Sequence, residues 1–206
     1  MCRRKSRGIT VMQKTRRKRK SKGGAIAAAV FFIIVLLLAL NAKKLYKLYL
    51  DIFYPTRYSE YVEYYSALND IDYHFVYAVI KTESGFDENA QSGVGARGLM
   101  QMMEETFDWI KYRMKDTSGI TYDDMYSPEY NIKYGTYMLA LLLEEYGSEE
   151  VALAAYHTGR GNVNSWLENP LYSDDGATLK AMPSAATQQY VNKVMKYYEG
   201  YSNLYK

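Results

Sequence analysis

One glutamate, Glu83, stands out among the acidic residues because it follows an apolar helical stripe. The residues that share its face in a helix are apolar: Val76, Val79 and Ile80. The helix predicted from Asp72 to Lys81 therefore turns the carboxyl group of Glu83 inward. Partial burial and the negative end of the helix dipole both disfavour the ionised form, which predicts a raised pKa. A carboxyl group with such a pKa can act as a general acid near neutral pH.

Other chemistries find little support in the sequence. The segment Gly93–Gly98 fits G-x-G-x-x-G, but a helix and a polar loop precede it, whereas a dinucleotide site needs a preceding strand. These glycines are interpreted as a tight loop whose backbone can approach a ligand. His74 and His157 are the only histidines, and neither has the spacing of metal ligands. We therefore expect no metal and no organic cofactor.

The elements that must position Glu83 are predicted to be helices throughout. Helical spacing of apolar residues predicts helices at about 58–67, 72–81, 104–114, 128–146, 149–156, 162–167 and 187–204. The last of these has a packing stripe made of Tyr190, Val191, Val194, Met195 and Tyr198. Because no segment has a persuasive strand pattern, the expected fold is all-α. The 23 tyrosines are mostly expected to pack, although their rings also suit the faces of sugars.

Charge divides the chain sharply. Residues 1–50 contain 14 Lys and Arg and no acid, whereas residues 51–206 contain 12 Lys and Arg and all 23 acids. Between the basic start and the acidic remainder, residues 24–40 have no polar side chain. As a helix this run is about 25 Å long, slightly short of the ~30 Å hydrocarbon core, and its flanking residues can supply the difference. A single transmembrane helix is therefore predicted at residues 24–42.

The distribution of cations predicts the orientation of this helix. Eleven Lys and Arg residues precede it and three follow closely, so its N-terminus is expected in the cytoplasm. A cleavable signal peptide is the alternative, but no convincing small-x-small site follows Leu40. The basic residues are expected to contact anionic lipid, and nucleic-acid binding is not expected. The predicted organisation is a basic cytoplasmic tail at 1–23, the membrane helix, a juxtamembrane stalk at 43–57 and an outer domain at 58–206.

Several ordered motifs of the outer domain resemble one family. They are Glu83-Ser84-Gly85-Phe86, Asn89-Ala90, Ser92, Gly95-Ala96, Gly98-Leu99-Met100-Gln101-Met102-Met103, Thr106 and Ala154-Ala155-Tyr156-His157-Thr158-Gly159, followed by Gly161, Val163 and Trp166. Together they look like the catalytic domain of the soluble lytic transglycosylases, over roughly residues 58–198. The resemblance implies a lysozyme-like fold related to goose-type lysozyme.

The resemblance also implies an activity, which is non-hydrolytic cleavage of the β-1,4 bond between N-acetylmuramic acid and N-acetylglucosamine in peptidoglycan. Glu83 matches the single catalytic acid of the family. It would protonate the glycosidic oxygen and then accept the proton of the muramic C6 hydroxyl, which closes a 1,6-anhydro ring. A hydrolytic glycosidase normally needs a second carboxylate, but an intramolecular hydroxyl makes one glutamate sufficient. The nearby Asp87 and Glu88 are expected to be solvated loop residues.

Further positions match residues that bind the saccharide in that family. They are Ser92, Gln101, Met103 and Tyr156, with His157 beside them. Serine and glutamine can hydrogen-bond hydroxyl or acetamido groups, methionine gives a soft apolar wall, and tyrosine gives a ring with a hydroxyl. Met100 is expected in the core. The implied partners are peptidoglycan strands, the cytoplasmic membrane through residues 24–42, and a secretion or conjugation machinery.

The sequence departs from the family pattern in three places. His157-Thr158 stands where the family usually has Asn-Ala, Glu104 replaces a proline, and Ala186 replaces a glutamate expected near the groove. Glu104 fits a helix start, whereas Ala186 removes a carboxylate and bears on substrate affinity. Two alternatives therefore remain open: a hydrolytic muramidase on the same fold, and a weakly active peptidoglycan-binding scaffold of a secretion or conjugation apparatus.

Overall fold

The computed structural model of the protein describes residues 22–205. Its helices are α1 Lys22–Leu40, α2 Ala42–Phe53, α3 Ser59–Leu68, α4 Tyr73–Glu83, α5 Glu104–Arg113, a 3₁₀ helix Tyr122–Tyr126, α6 Pro128–Tyr146, α7 Glu149–Thr158, α8 Arg160–Leu167 and α9 Ala185–Leu204. The described residues contain isolated β-bridges but no β-strand. The predicted all-α class is therefore confirmed. The chain divides into two units between Lys47 and Leu48.

The first unit contains the apolar helix α1. Its large apolar side chains are exposed, from Ile26 through Leu40. Helix α1 ends one residue before Asn41, which forms a turn ahead of α2. Among the described residues, no single helix is long and apolar enough to count as a membrane span by itself, whereas Ile26–Leu40 and Ala42–Phe53 meet that criterion as a bent pair. Most of the predicted basic tail lies outside the described residues.

The core of the second unit is built around α4. Every residue from Phe75 to Ile80 is buried, and α4 packs against α9 and α3. Helix α7 contacts α6, α8 and α9, and its segment from Val151 to Ala155 is also buried. Helices α4 and α7 therefore both pack against α9.

Local signals in the sequence explain where these helices begin and end. The Asp72 carboxylate accepts the His74 backbone N–H at 2.8 Å, which caps the start of α4. Ser184 does the same for the Thr187 N–H at 3.2 Å, so α9 begins two residues before its predicted start. Helix α6 begins at Pro128 and ends before Gly147, whose φ is 63°. The sequence pattern does not predict the short 3₁₀ helix.

A second cluster of buried side chains joins α5, the 3₁₀ helix and α6. It consists of Met102, Phe107, Ile110, Met125 and Tyr134. Between this cluster and α4 runs the loop of residues 84–103, which carries many of the motif residues. In this loop, the segment 91–102 is folded back by two bridges, Gln91 with Arg97 and Arg97 with Met102.

Candidate active site

The Glu83 side chain is hydrogen-bonded to a tyrosine of another helix. Glu83 is the last residue of α4, and its Oε1 accepts the Tyr190 hydroxyl of α9 at 2.7 Å. Burial raises the pKa of Tyr190 well above its ordinary value, so the phenol remains protonated and acts as the donor. The α4–α9 contact thus fixes the direction of the carboxyl group.

Burial raises the pKa of Glu83 to about 7, in the direction that the sequence predicts. Part of the residue remains accessible, but its carboxyl group has lost most of its solvent, which penalises the charged form. Two interactions oppose this effect: the Tyr190 hydrogen bond and the positive charge of Lys193 both lower the pKa. The balance leaves an acid that can hold or release its proton near neutral pH.

The turn after Glu83 is fixed by a serine hydroxyl and by two left-handed residues. Ser84 Oγ donates to the Leu99 carbonyl oxygen at 2.8 Å and accepts the Phe86 N–H at 3.1 Å. Gly85 has φ 62°, and Phe86 has φ 72° although it is not a glycine. The buried Phe86 ring packs against the Tyr77 ring, 6.2 Å between centroids. Packing of this ring offsets the strain of the left-handed backbone.

Tyr156 connects α7 to the loop. Its hydroxyl donates to the Met100 carbonyl oxygen at 2.7 Å. Burial raises the pKa of Tyr156 first, and the negative charge of Glu83 raises it further. Tyr156 therefore lies within electrostatic reach of Glu83. Met100 is fully buried, as the sequence predicts.

Met103, Tyr156 and His157 line one open groove, with a volume of about 390 Å³. Met103 precedes α5 and remains 39% exposed, which suits a groove wall better than a core residue. The His157 ring stacks on the Tyr190 ring, 4.5 Å between centroids, and its Nδ1 lies 3.3 Å from Thr187 Oγ1. Desolvation lowers the pKa of His157. The imidazole thus supports the tyrosine that bonds Glu83.

Ser92 and Gln101 belong to the loop, where their polar groups also hold the backbone. Ser92 Oγ accepts the Ala96 N–H at 2.9 Å. The Gln101 side-chain amide donates to the carbonyl oxygens of Ala90 and Gly98, which supports its left-handed backbone at φ 48°. Neither side chain has a described hydrogen bond to Glu83. Among residues 22–205 the Ser92 hydroxyl proton and Gln101 Oε1 have no hydrogen-bond partner, so both can serve a ligand.

Asp87 and Glu88, the acidic residues that follow Glu83 in the sequence, have hydrogen-bond partners of their own. Asp87 is exposed and accepts the Asn89 N–H at 3.0 Å, while Glu88 accepts the Tyr58 hydroxyl at 2.8 Å. Ala186 is exposed in the first turn of α9. Among residues 22–205, no other acidic residue contributes to the pKa shift of Glu83.

Tyr190 is the residue of this site that sequence reasoning misses. From sequence alone it is predicted only as a packing residue of the last helix. A buried tyrosine usually finds a partner for its hydroxyl, and that requirement is the signal that could have drawn attention to it. The partner, however, is separated from it by 107 positions in the chain.

The chain matches the Transglycosylase SLT domain family over residues 60–176. It is 31% identical to the soluble lytic murein transglycosylase of Salmonella typhimurium over 148 residues, which are 70% of this chain and 23% of that relative. It is 34% identical to a transglycosylase of Enterobacteria phage PRD1, over 64% of this chain and 39% of the phage protein. A membrane-bound lytic murein transglycosylase C of Glaesserella parasuis is 28% identical, over 72% of this chain and 46% of its own length.

Solved structures of lytic transglycosylases are similar to this chain in fold. An inactive variant of lytic transglycosylase Slt from Pseudomonas aeruginosa, in which a glutamate is replaced by glutamine, has a TM-score of 0.67 at 27% identity, covering 75% of this chain and 25% of that one. The 70 kDa soluble lytic transglycosylase of Escherichia coli has a TM-score of 0.67 at 26% identity, covering 91% of this chain and 31% of that one.

The implied lysozyme-like, all-α fold is therefore confirmed. This chain spans about a quarter of the length of these soluble relatives. The family match itself covers more than half of the chain, including the acid at the end of α4 and the groove beside α7. The chain belongs to the Transglycosylase SLT domain family.

Proposed function

We propose that the domain at residues 58–206 is a peptidoglycan lytic transglycosylase with Glu83 as its catalytic acid and base. The observation that carries this proposal is the Glu83 carboxyl group, whose pKa is raised to about 7 while Tyr190 holds its orientation. The relatives support peptidoglycan as the substrate, since several of them are lytic murein transglycosylases. The inactive Pseudomonas aeruginosa variant, which has glutamine in place of a glutamate, supports an essential glutamate in this family.

In the proposed reaction, protonated Glu83 donates its proton to the glycosidic oxygen as the bond from C1 of N-acetylmuramic acid breaks. The carboxylate then accepts the proton of the C6 hydroxyl, whose oxygen bonds to C1. The products are an N-acetylglucosamine end and a 1,6-anhydro-N-acetylmuramic acid end, and no water is consumed. The same carboxyl group must release and regain one proton. A pKa of about 7 for Glu83 supports this step, because both forms are then accessible near neutral pH.

The groove beside Tyr156 is proposed to hold the glycan strand. Met103 and the Tyr156 ring supply its apolar surface, and His157 forms part of the same wall. Ser92 and Gln101 would hydrogen-bond hydroxyl or acetamido groups from the loop, using the groups that their backbone contacts leave available. Sugar rings suit such walls because they combine apolar faces with polar edges.

The product masses test this proposal. The full-length chain in detergent is incubated with purified peptidoglycan, beside Glu83→Gln and the matched control Glu88→Gln. We expect released muropeptides lighter than hydrolytic products by one water, a loss of on the order of 10²-fold or more in Glu83→Gln, and near-normal release by the control. Reducing ends would instead indicate a hydrolytic muramidase, and unchanged release by Glu83→Gln would remove Glu83 from the mechanism.

A weakly active scaffold is the second candidate, because Ala186 takes the place of a family glutamate at the start of α9. Such a scaffold would open the wall for a secretion or conjugation apparatus, and the phage transglycosylase among the relatives is compatible with this role. Restoring the carboxylate with Ala186→Glu separates the two candidates. A rise of tenfold or more in muropeptide release would favour the scaffold for the native chain. A change below threefold would favour the enzyme.

The first unit is proposed to anchor this domain in the cytoplasmic membrane, with the N-terminus inside and the domain on the cell-wall side. The exposed apolar surface of α1 and the excess of cations before it support this arrangement. The membrane-bound relatives support membrane association. Protease treatment of intact spheroplasts should digest residues 58–206 and leave a short membrane fragment. Release of the whole chain by alkaline carbonate would contradict the anchor.

A further inference from the structure

A second pocket adjoins the groove beside Tyr156, with which it shares lining residues. Its volume is about 550 Å³, and it is lined by Trp109, Arg113, Leu141, Glu144, Glu145 and Arg160. Trp109 and Arg160 line both spaces, so the pocket and the groove share a wall. None of the six is a residue to which the family resemblance assigns a role.

The two arginines of this pocket are held by the same indole ring. The guanidinium carbon of Arg160 lies 5.2 Å from the centroid of Trp109, and that of Arg113 lies 5.9 Å from it. Stacking on an aromatic ring orients a guanidinium and leaves its edge available for hydrogen bonds. Trp109 therefore favours one orientation of each guanidinium at the pocket.

Among the described residues, two of the four charged side chains that line the pocket form an ion pair with each other. Glu145 pairs with Arg160 through two contacts, Nε to Oε2 at 2.7 Å and Nη2 to Oε1 at 3.0 Å. Arg113 has no ion-pair partner among residues 22–205, and neither has the exposed Glu144. One unpaired cation and one unpaired anion in the same pocket match a ligand that carries both charges.

Resting on the proposed function, we propose that this pocket is a subsite for the peptide that peptidoglycan carries on its muramic acid residues. The peptide leaves the glycan from the lactyl group, so a strand in the groove must direct peptides into adjoining space. Such peptides carry free carboxylates and an ammonium group. Arg113 takes a carboxylate through its planar fork, Glu144 takes the ammonium group, and Leu141 contacts the aliphatic part.

The test compares peptide-bearing strands with the same strands stripped by an amidase. The full-length chain, Arg113→Gln, Arg113→Lys and the exposed control Lys196→Gln are assayed on both. Arg113→Gln should lower kcat/KM about tenfold on peptide-bearing strands and change it less than twofold on stripped strands. Arg113→Lys should recover only part of the loss, because an ammonium group cannot form the bidentate contact. Lys196→Gln should change neither value.

Equal losses on both substrates, or no loss on either, would overturn the peptide subsite. A binding measurement keeps this result separate from the proposed reaction. Calorimetry in the Glu83→Gln background should give about tenfold weaker binding of a disaccharide-peptide after Arg113→Gln, with no change for the peptide-free disaccharide. If the native chain cleaves neither substrate, the proposed function fails, while the calorimetry still decides whether the pocket binds the peptide.

Discussion

The Tyr190 hydroxyl donates a 2.7 Å hydrogen bond to the Glu83 carboxyl group across the α4–α9 contact. This bond stabilises the carboxylate and therefore lowers a pKa that burial has raised. The same phenol is supported on its ring face by His157. Orientation and acidity of Glu83 thus depend on a side chain from the last helix.

Removal of the Tyr190 hydroxyl should move the pH profile of the reaction upward. In Tyr190→Phe the carboxylate loses its donor, so the pKa of Glu83 rises above about 7 and the acid form persists to higher pH. The alkaline limb of kcat/KM against pH should shift up accordingly. Tyr198→Phe is the matched control, since that hydroxyl contacts Asp72 at 3.0 Å. An unshifted limb in Tyr190→Phe would contradict the role assigned to this bond.

The raised pKa of Glu83 also predicts how stability depends on pH. The folded protein holds this proton up to about pH 7, whereas the unfolded chain releases it near 4.5. The contribution of Glu83 to stability is therefore fully present below pH 4.5 and is lost as pH rises through about 7. Glu83→Gln keeps a neutral acceptor for Tyr190 and should be more stable than the native chain above pH 7, by roughly 3 kcal/mol. Urea denaturation at pH 4.5 and pH 8 measures the difference, which should nearly vanish at the lower pH.

The sequence predicts the helices and the burial of Glu83 because both depend on local patterns, whereas the catalytic role of Glu83 stays a prediction. Apolar periodicity predicts α6 with its observed bounds, and the stripe before Glu83 predicts burial of the carboxyl group. Tyr190 was missed because its role depends on a distant helix. Gln101 and Ser92 show another limit of sequence-based prediction. Their residue types do not reveal that their side chains form hydrogen bonds to backbone groups of the same loop.

The loop that carries these residues requires a glycine at position 98. Gly98 has φ +73°, and a Cβ there would overlap the Met125 carbonyl oxygen and the Asn131 amide. Gly98→Ala should therefore lower the free energy of unfolding by about 3 kcal/mol. Gly93→Ala in the same loop is the control, since its Cβ would meet nothing within 4 Å and its effect should stay within about 0.5 kcal/mol. Equal effects in thermal melts would contradict this steric account.

Asn131 holds the same loop from α6 and should matter for activity through Met100. Fully buried, it accepts the Met100 N–H at 2.7 Å and donates to the carbonyl oxygens of Arg97 and Met125. The Met100 carbonyl in turn receives the Tyr156 hydroxyl, so Asn131 acts as a positioning residue.

Asn131→Ala leaves buried backbone groups unpaired and should cost about 3 kcal/mol of stability. Its kcat should also fall about tenfold at a temperature where the variant remains folded, because Tyr156 loses its fixed partner. Asn164→Ala is the control: that exposed side chain accepts the Tyr146 hydroxyl at 2.9 Å, and its removal should change neither quantity appreciably. Native kcat in a destabilised Asn131→Ala would mean that the loop keeps Tyr156 in place without this anchor.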